Sequence, residues 1–247
     1  MSEASVRLEG LRDRLDAVRA RVEACARRCG RDPREITLVG VSKTHPASLV
    51  AEAQAAGLTD FGENRVQEAE GKIAELAPRD GPPLRWHLIG HLQANKARRA
   101  VKLFDVIHTV DSAALVGRLE RLCAEEGRDE LHALVQVSLA GEETKSGAGA
   151  DEVDEIVAAF KACERVRLAG LMTVPPFFAD AEEVRPFFRR LRELRDRLRE
   201  RGAFGGGAAG HLSMGMSHDF ETAIEEGATM VRVGTAIFGE RAAVVQP

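Results

Sequence analysis

The sequence predicts an α/β fold, a single-domain, TIM-like (β/α)8 barrel with one extra helix before it. Three observations indicate this fold: a length of 247 residues, an alternation of short apolar runs with helical patterns, and the repetition of that unit eight times. Barrels of this type have roughly 250 residues, and alternating strand–helix units form parallel sheets. A doubly wound open sheet is the alternative fold, but no GxGxxG turn follows the first apolar run.

The chain begins with a helical pattern rather than with a strand. Apolar residues recur at steps of three and four within residues 8–22, which is the spacing of one helix face. Gly30 and Pro33 are residues that end helices. We therefore assign 1–34 to an N-terminal helix that packs on the barrel and 35–247 to the barrel itself, with one domain overall.

The strand–helix units follow in regular order. The predicted strands are the apolar runs at 36–42, 58–62, 85–90, 105–110, 131–139, 166–174, 211–215 and 229–234. The helical patterns between them lie at 46–56, up to about residue 77, at 93–103, 112–126, 151–163, 181–201 and 218–227, and a short helix follows the last strand. The Gly-rich stretch 202–210 is expected to be a flexible surface connection.

The composition limits the classes of partner. The net charge is −4 and the pI about 6.0, so no general attraction to nucleic acid or to anionic membranes is expected. No apolar run reaches the roughly 18 residues that a membrane-spanning helix needs, and the N-terminal segment lacks the apolar stretch of a secretory signal. A cytoplasmic protein with reduced thiols is the simplest interpretation.

The cysteines and histidines do not form a metal-binding pattern. Cys25 and Cys29 are four residues apart in the first helical pattern, and no CxxC or Cys/His cluster is present. His87 and His91 have the same spacing, but they lie on a predicted strand and at its exit. We therefore predict no metal site.

Lys43 directly follows the first predicted strand. Active sites of such barrels form at the carboxyl ends of the strands, and a desolvated lysine at that position can attack an aldehyde and form an imine. The alternative is a solvated rim lysine or one that neutralises a carboxylate, and position alone does not exclude it.

A second group of residues lies at the ends of the last two predicted strands. Ser213-Met214-Gly215 and Arg232-Val233-Gly234-Thr235 combine glycines with hydroxyl groups, and the loops after strands seven and eight frequently bind phosphate in barrels. The alternative is that the glycines only form turns and that Thr235 begins the last helix as a cap. An Arg232 that points into the barrel would need an acceptor, but the sequence leaves its direction open.

Six blocks of sequence resemble one known family. They are VGVSKTHP (39–46), FGENRVQE (61–68), WHLIGHLQANK (86–96), GLMTVPP (170–176), LSMGMSHDFETAI (212–224) and GATMVRVGTAIFGER (227–241). In this order they closely resemble the YggS/PROSC family of pyridoxal 5′-phosphate (PLP) homeostasis proteins. The resemblance extends from about residue 36 to residue 241, so it covers nearly the whole chain.

The resemblance implies a barrel like the N-terminal domain of alanine racemase, the fold type III of PLP enzymes. It also implies PLP as the cofactor, carried as a Schiff base on Lys43 of the VSKT block. By the same resemblance, Ser213, Gly234 and Thr235 hold the phosphate.

The resemblance assigns three more residues to the cofactor. It places Arg232 opposite the pyridine nitrogen, Asn64 beside the ring and Met214 in the lining of the pocket. An arginine is only a donor and stays protonated, so it should leave that nitrogen unprotonated and the ring a weak electron sink.

The expected function is therefore PLP binding and PLP homeostasis without substantial catalysis, and no catalytic residue is assigned. Alanine racemases use a tyrosine opposite the lysine, whereas this sequence contains no tyrosine and no second β-rich domain is expected after the barrel. An amino-acid racemase is the alternative function, and a Schiff-base aldolase that acts on a sugar phosphate through Lys43 is another. PLP-dependent apo-enzymes are the expected protein partners, and a monomer is the expected state.

Overall fold

The computed structural model describes residues 3–76, 83–139 and 147–240, with side chains from residue 10 onwards. Eight parallel strands close into a barrel, each hydrogen-bonded to the next in chain order. The barrel closes because β1 also pairs with β8, from Thr37 opposite Met230 to Gly40 opposite Val233. The predicted single-domain (β/α)8 barrel is confirmed, and the open-sheet alternative is excluded.

The strands coincide with the predicted apolar runs to within a few residues. They are β1 Thr37–Val41, β2 Asp60–Glu63, β3 Arg85–Leu88, β4 Val106–Val110, β5 Leu131–Gln136, β6 Val166–Met172, β7 His211–Ser213 and β8 Met230–Val233. They are shorter than the runs because several apolar residues beyond the strand ends belong to the loops that form the rim.

A helix follows each strand, and one precedes them all. Within the described residues the α-helices are α1 Glu3–Arg28, α2 Ala47–Ala55, α3 Val66–Leu76, α4 Ala97–Leu103, α5 Ala113–Glu125, α6 Val153–Lys161, α7 Arg185–Glu200, α8 Phe220–Glu225 and α9 Thr235–Phe238. Two predicted helices begin with a 3-10 turn, at Ala94–Lys96 before α4 and at Ala181–Val184 before α7.

The N-terminal helix α1 lies against the outside of the barrel. Its residues Leu11 and Leu15 are fully buried, and α1 contacts α2, α8 and α9. The Arg14 Nε donates a hydrogen bond of 2.8 Å to the Ile237 carbonyl in α9. Among the described residues, none of the helices combines the length and the apolar composition that crossing a membrane requires. The boundary between residues 34 and 35 stays a prediction, and 241–247 lie outside the described residues.

The core has two layers. The larger apolar cluster joins the helices to the outside of the barrel. A small separate cluster consists of Val106, Leu134, Met172 and Met230, which lie inside the barrel because alternate strand residues point inwards. Much of the remaining barrel interior is polar, and the site is built on that polar interior.

Candidate functional site

The candidate site lies at the carboxyl ends of the strands, and its first element is the turn after β1. The Ser42 N–H donates to the Gly62 carbonyl at 3.1 Å, so Ser42 continues the pairing of β1 with β2. Lys43 comes next and is half-buried. Thr44 has φ of +67°, the one positive φ of a non-glycine residue in the described ranges. Lys43 is therefore placed between a strand end and a backbone turn that costs conformational energy.

A buried cluster of charges supports this turn from the side of α3. The Lys72 ammonium donates to the Ser42 carbonyl at 2.7 Å, to Glu63 Oε1 at 2.6 Å and to Glu68 Oε1 at 2.8 Å. The Ser42 hydroxyl donates to the same Glu63 oxygen at 2.6 Å, and the Thr44 N–H donates to Glu68 Oε1. Both sides of Lys43 along the chain are thus fixed by one lysine and two carboxylates.

The pKa values of the two carboxylates in this cluster are shifted in opposite directions. Burial raises the pKa of Glu63, and the hydrogen bonds from Lys72 and Ser42 only partly oppose it. Burial also acts on Glu68, but the bonds from Lys72 and the Thr44 N–H outweigh it and lower the pKa of Glu68. Glu63 Oε2 has no hydrogen-bond partner among the described residues. The buried negative charge of Glu63 is therefore compensated mainly by Lys72.

The second element is Arg232 on β8, whose direction the sequence left open. Its side chain points into the barrel: Nη1 donates to the Ser213 hydroxyl at 2.5 Å and Nη2 to the Thr173 carbonyl at 2.9 Å. Burial lowers the pKa of Arg232 to about 10, and Asp219 acts in the opposite direction. The guanidinium is therefore still a cation at neutral pH, although both of these acceptors are uncharged.

From Ser213 a line of hydrogen bonds continues across the barrel. Ser213 Oγ lies 2.9 Å from His108 Nδ1, and His108 Nε2 lies 2.9 Å from His87 Nδ1. His87 Nε2 lies 3.0 Å from Asp60 Oδ1. All of these residues are buried, so the interior between β2 and β8 is a continuous polar line.

The third element is formed by the loops after β7 and β8. Gly215 has φ of +91°, and a Cβ there would lie 2.6 Å from the Ala223 Cβ, so only glycine fits. The hydroxyl oxygen of Ser217 accepts from the Gly234 N–H at 3.2 Å and from the Ala236 N–H at 3.4 Å. Backbone donors at the start of α9 thus converge on one oxygen, which is the arrangement of an anion-binding loop.

Comparison with known proteins identifies the family. Residues 14–242 match the family described as alanine racemase, N-terminal domain. The pyridoxal phosphate homeostasis protein of Aquifex aeolicus is 42% identical over 229 residues, which are 93% of this chain and 97% of the relative. The protein of the same name from Escherichia coli K12 is 44% identical over 232 residues, 92% of this chain and 95% of the relative. This chain belongs to the pyridoxal phosphate homeostasis protein family.

Solved structures of similar proteins have the same barrel. PipY of Synechococcus elongatus PCC7942 has been solved without PLP and with PLP bound. The form without PLP is 40% identical with a TM-score of 0.81, and the PLP-bound form is 39% identical with a TM-score of 0.80; both matches cover 93% of this chain and 100% of PipY. An alanine racemase from Clostridium difficile shares the fold at 18% identity and a TM-score of 0.70, and this chain covers 58% of its length.

The structure distributes the residues that the family resemblance implied over three places. Lys43, Asn64, Gly234 and Thr235 lie at the rim, at or after strand ends: Asn64 is half-buried, with the Gly90 backbone directly on its main chain, and Thr235 is exposed. Arg232 and Ser213 lie in the barrel interior below that rim. Met214 is fully buried in the outer apolar cluster that joins helices to strands. For this chain, the contact of each of these residues with PLP stays a prediction.

Sequence reasoning missed several polar groups of this site. Ser217 was not identified because the family resemblance assigned the phosphate to Ser213, four residues earlier. His108 and Asp60 were not predicted as site residues because the sequence of a single strand does not show which of its side chains point into the barrel. Their position within apolar runs was the available signal, because a polar residue in the middle of a buried strand needs a partner.

One group of potential metal ligands exists in the described part of the chain, away from the rim. The sulfur atoms of Cys25 and Cys29 and a carboxylate oxygen of Glu225 lie within 4.8 Å of one another. Glu225, however, is ion-paired with Arg28 at 3.4 Å and with Arg185 at 2.6 Å. Burial also raises the pKa of Cys25 to about 11, and the Cys25 Sγ donates a hydrogen bond of 3.4 Å to the Glu221 carbonyl.

Proposed function

We propose that this chain binds PLP reversibly as a Schiff base on Lys43 and contributes to intracellular PLP homeostasis. The observation that carries the proposal is the buried Arg232, a protonated guanidinium whose two hydrogen bonds go to uncharged oxygens. It lies below the same rim that presents Lys43 and the anion-binding loop. When bound, PLP supplies an aldehyde, a phosphate and a pyridine ring, and each has a chemically suitable group here.

The donor set fits that cofactor. Lys43 is the amine for the aldehyde, and the half-buried turn that holds it is fixed by Lys72 and Glu68. The phosphate would be held by the loops after β7 and β8, where the Gly234 and Ala236 N–H groups already converge on a single oxygen. Thr235, at the first position of α9, adds an exposed hydroxyl.

The proposal gives the two serines of the LSMGMS segment different roles. The Ser213 hydroxyl is engaged inside the barrel by Arg232 and His108, so it would support Arg232 and not donate to the phosphate. The Ser217 hydroxyl lies at the start of α9 and takes the role of the phosphate serine. Asn64, half-buried after β2, stays beside the ring in this proposal, and Met214 contributes through packing.

Arg232 also supports the view that catalysis is minor. Its guanidinium can only donate, so an acceptor such as a pyridine nitrogen would stay unprotonated against it, and an unprotonated ring withdraws electrons weakly. The sequence has no tyrosine to serve as a second acid–base group on the substrate carbon. We propose a carrier on these grounds; amino-acid racemisation is the alternative activity.

We further propose that the chain is monomeric and that PLP-dependent apo-enzymes receive PLP from it. The relatives named above are homeostasis proteins by name, and a role in supplying PLP requires release as well as binding. The mass of the protein in solution, measured by size-exclusion chromatography with light scattering, tests whether the chain is monomeric. Mixing the PLP-loaded protein with an apo-enzyme and following the recovery of that enzyme's activity tests whether the enzyme receives PLP.

The deciding experiment is an absorption titration of the purified protein with PLP, followed by borohydride reduction and peptide mapping. We expect a visible band and a pyridoxyl group on the Lys43 peptide, and loss of both in Lys43→Ala. Lys161→Ala is the matched control because Lys161 is an exposed lysine at the end of α6. A label spread over Lys161 and other surface lysines, or no band, would contradict the proposal.

Catalysis is tested separately. The loaded protein is incubated with L-alanine or L-serine, and the appearance of the D-enantiomer is followed by chiral chromatography. Turnover at ordinary enzyme rates that disappears in Lys43→Ala would favour the racemase alternative over the carrier.

A further inference from the structure

A single line of hydrogen bonds crosses the inside of the barrel and ends at Arg232. Its members come from five strands: Asp60 of β2, His87 of β3, His108 of β4, Ser213 of β7 and Arg232 of β8. The strands β4 and β7 are not neighbours in the barrel, so the contact between His108 and Ser213 spans the interior. Each donor–acceptor distance in the line is between 2.5 and 3.0 Å.

The positions of the protons in these hydrogen bonds follow from the groups at the two ends of the line, Asp60 and Arg232. Asp60 is an acceptor: burial acts to raise the pKa of its carboxyl, but the hydrogen bonds from His87 and Thr59, together with the nearby Arg85, outweigh burial and lower that pKa. His87 therefore donates from Nε2. A neutral imidazole has one donor and one acceptor nitrogen, so His87 Nδ1 accepts from His108 Nε2.

The same rule fixes the other half of the line. Burial, with His87 and Arg232 nearby, lowers the pKa of His108 far below its ordinary value, so His108 is neutral. Its Nδ1 is then an acceptor, and the Ser213 hydroxyl donates to it. The lone pairs of Ser213 are thereby left for the guanidinium of Arg232.

Every proton in the line is consequently displaced in one direction, from Arg232 towards Asp60. A buried cation is stable only when polar groups compensate it, and aligned hydrogen bonds polarise one another in a protein interior. The carboxylate of Asp60 therefore acts on Arg232 without touching it. A protonated ring at either histidine would add a second buried positive charge to that of Arg232, so we assign one proton to each ring.

We propose that Asp60, His87 and His108 are positioning residues for Arg232. They fix the orientation of the Ser213 hydroxyl, and Ser213 in turn holds the guanidinium of Arg232 in place for the pyridine nitrogen of bound PLP. This inference rests on the proposed PLP function, but its first test does not need PLP. The three residues lie on β2, β3 and β4 in the barrel interior.

The first test is long-range ¹H–¹⁵N NMR of the histidine side chains in the protein without PLP. We expect His87 and His108 to be neutral with the proton on Nε2, and a proton on Nδ1 of His108 or a doubly protonated His87 would overturn the inference. In Asp60→Asn the side-chain amide can accept a hydrogen bond from His87 or donate one to it. The hydrogen bonds of the line are then no longer all donated in the direction of residue 60. We then expect the two rings to show mixed tautomers while the fold is retained.

The second test measures the affinity for PLP and the visible absorption band of the bound cofactor. Asp60→Asn and His108→Gln are expected to raise the PLP dissociation constant about tenfold, the effect of one hydrogen bond to a charged group, and to shift the maximum of the visible band. His132→Gln is the matched control, since His132 lies on β5 with an exposed side chain that bonds Glu130.

The outcomes separate this inference from the proposed function. If the wild type forms no visible band with PLP, the proposed function fails, whatever the tautomers are. If the wild type binds PLP normally and Asp60→Asn lowers only the melting temperature, with band and affinity equal to those of His132→Gln, the three residues have a structural role alone and the inference is wrong.

Discussion

The ammonium group of Lys72 donates a hydrogen bond of 2.7 Å to the main-chain carbonyl of Ser42, the residue immediately before Lys43. The same ammonium forms ion pairs with both Glu63 and Glu68. A lysine on α3 therefore supports the backbone that carries the proposed PLP-binding lysine, and the support is both a hydrogen bond and a charge.

Lys72→Met should be strongly destabilising. It leaves the fully buried Glu63 without its cation, and breaking a buried ion pair costs about 3–5 kcal/mol of unfolding free energy. Urea denaturation at neutral pH measures the loss, with Lys161→Met as the exposed control. The double variant Lys72→Met/Glu63→Gln should recover part of the loss, because it removes the unpaired charge; no recovery would show that the charge is not the cause.

Thr44→Gly should stabilise the protein. Thr44 has φ of +67°, which a residue with a Cβ adopts at a cost, and relief of that cost minus the greater freedom of glycine in the unfolded chain leaves about 0.5–1 kcal/mol. Its N–H can still donate to Glu68. Thermal unfolding checks the sign, and Thr44→Ala, which keeps the Cβ, should change the melting temperature little. A lower melting temperature in Thr44→Gly would contradict the strained turn.

The two serines of the LSMGMS segment can be distinguished with two ligands. Ser217→Ala should weaken PLP binding by about 0.5–3 kcal/mol, as should Thr235→Val, because each removes a hydroxyl near a charged phosphate. Neither variant should affect pyridoxal, which lacks the phosphate. Ser213→Ala acts through Arg232 and should weaken both ligands. Equal effects of Ser217→Ala and Ser213→Ala on pyridoxal would contradict the separate roles.

The stability of the protein should fall in mild acid because of His108. The folded-state pKa of His108 is depressed by burial, whereas the unfolded chain binds a proton near pH 6.5. The unfolded state therefore binds more protons below that pH, and the contribution of His108 is present above about pH 6.5 and is lost as the pH decreases, by up to about 1.4 kcal/mol per pH unit.

Urea denaturation between pH 7.5 and pH 5 checks this dependence. The slope of unfolding free energy against pH should be smaller in His108→Gln than in the wild type. His132→Gln, which changes an exposed histidine, should keep the wild-type slope. Identical slopes in all three proteins would mean that His108 is not the group responsible.

The pattern of apolar runs was sufficient to predict the barrel. The run at 166–174 contains β6, and the run at 229–234 contains β8, each within a few residues. Eight such runs, each followed by a helix, leave few topologies. The position of Lys43 and of the loops after β7 and β8 at one rim follows from that topology alone.

Side-chain direction could not be predicted in the same way. Arg232 and Ser213 meet inside the barrel because β7 and β8 pair there, and the register of that pairing is a property of the closed sheet. Lys72 is a similar case. Its spacing from Glu68 is that of an ordinary exposed helix pair, but α3 turns this face towards the β1 turn and buries it.

The contact of Arg14 with the Ile237 carbonyl joins two residues that are 223 positions apart. During synthesis α1 leaves the ribosome long before α8 and α9, against which it packs. The apolar face of α1, with Leu11 and Leu15, thus lacks these two partners until residues 220–238 have been made. The part of α1 that packs on α8 and α9 can therefore dock only after both of these helices have been synthesised.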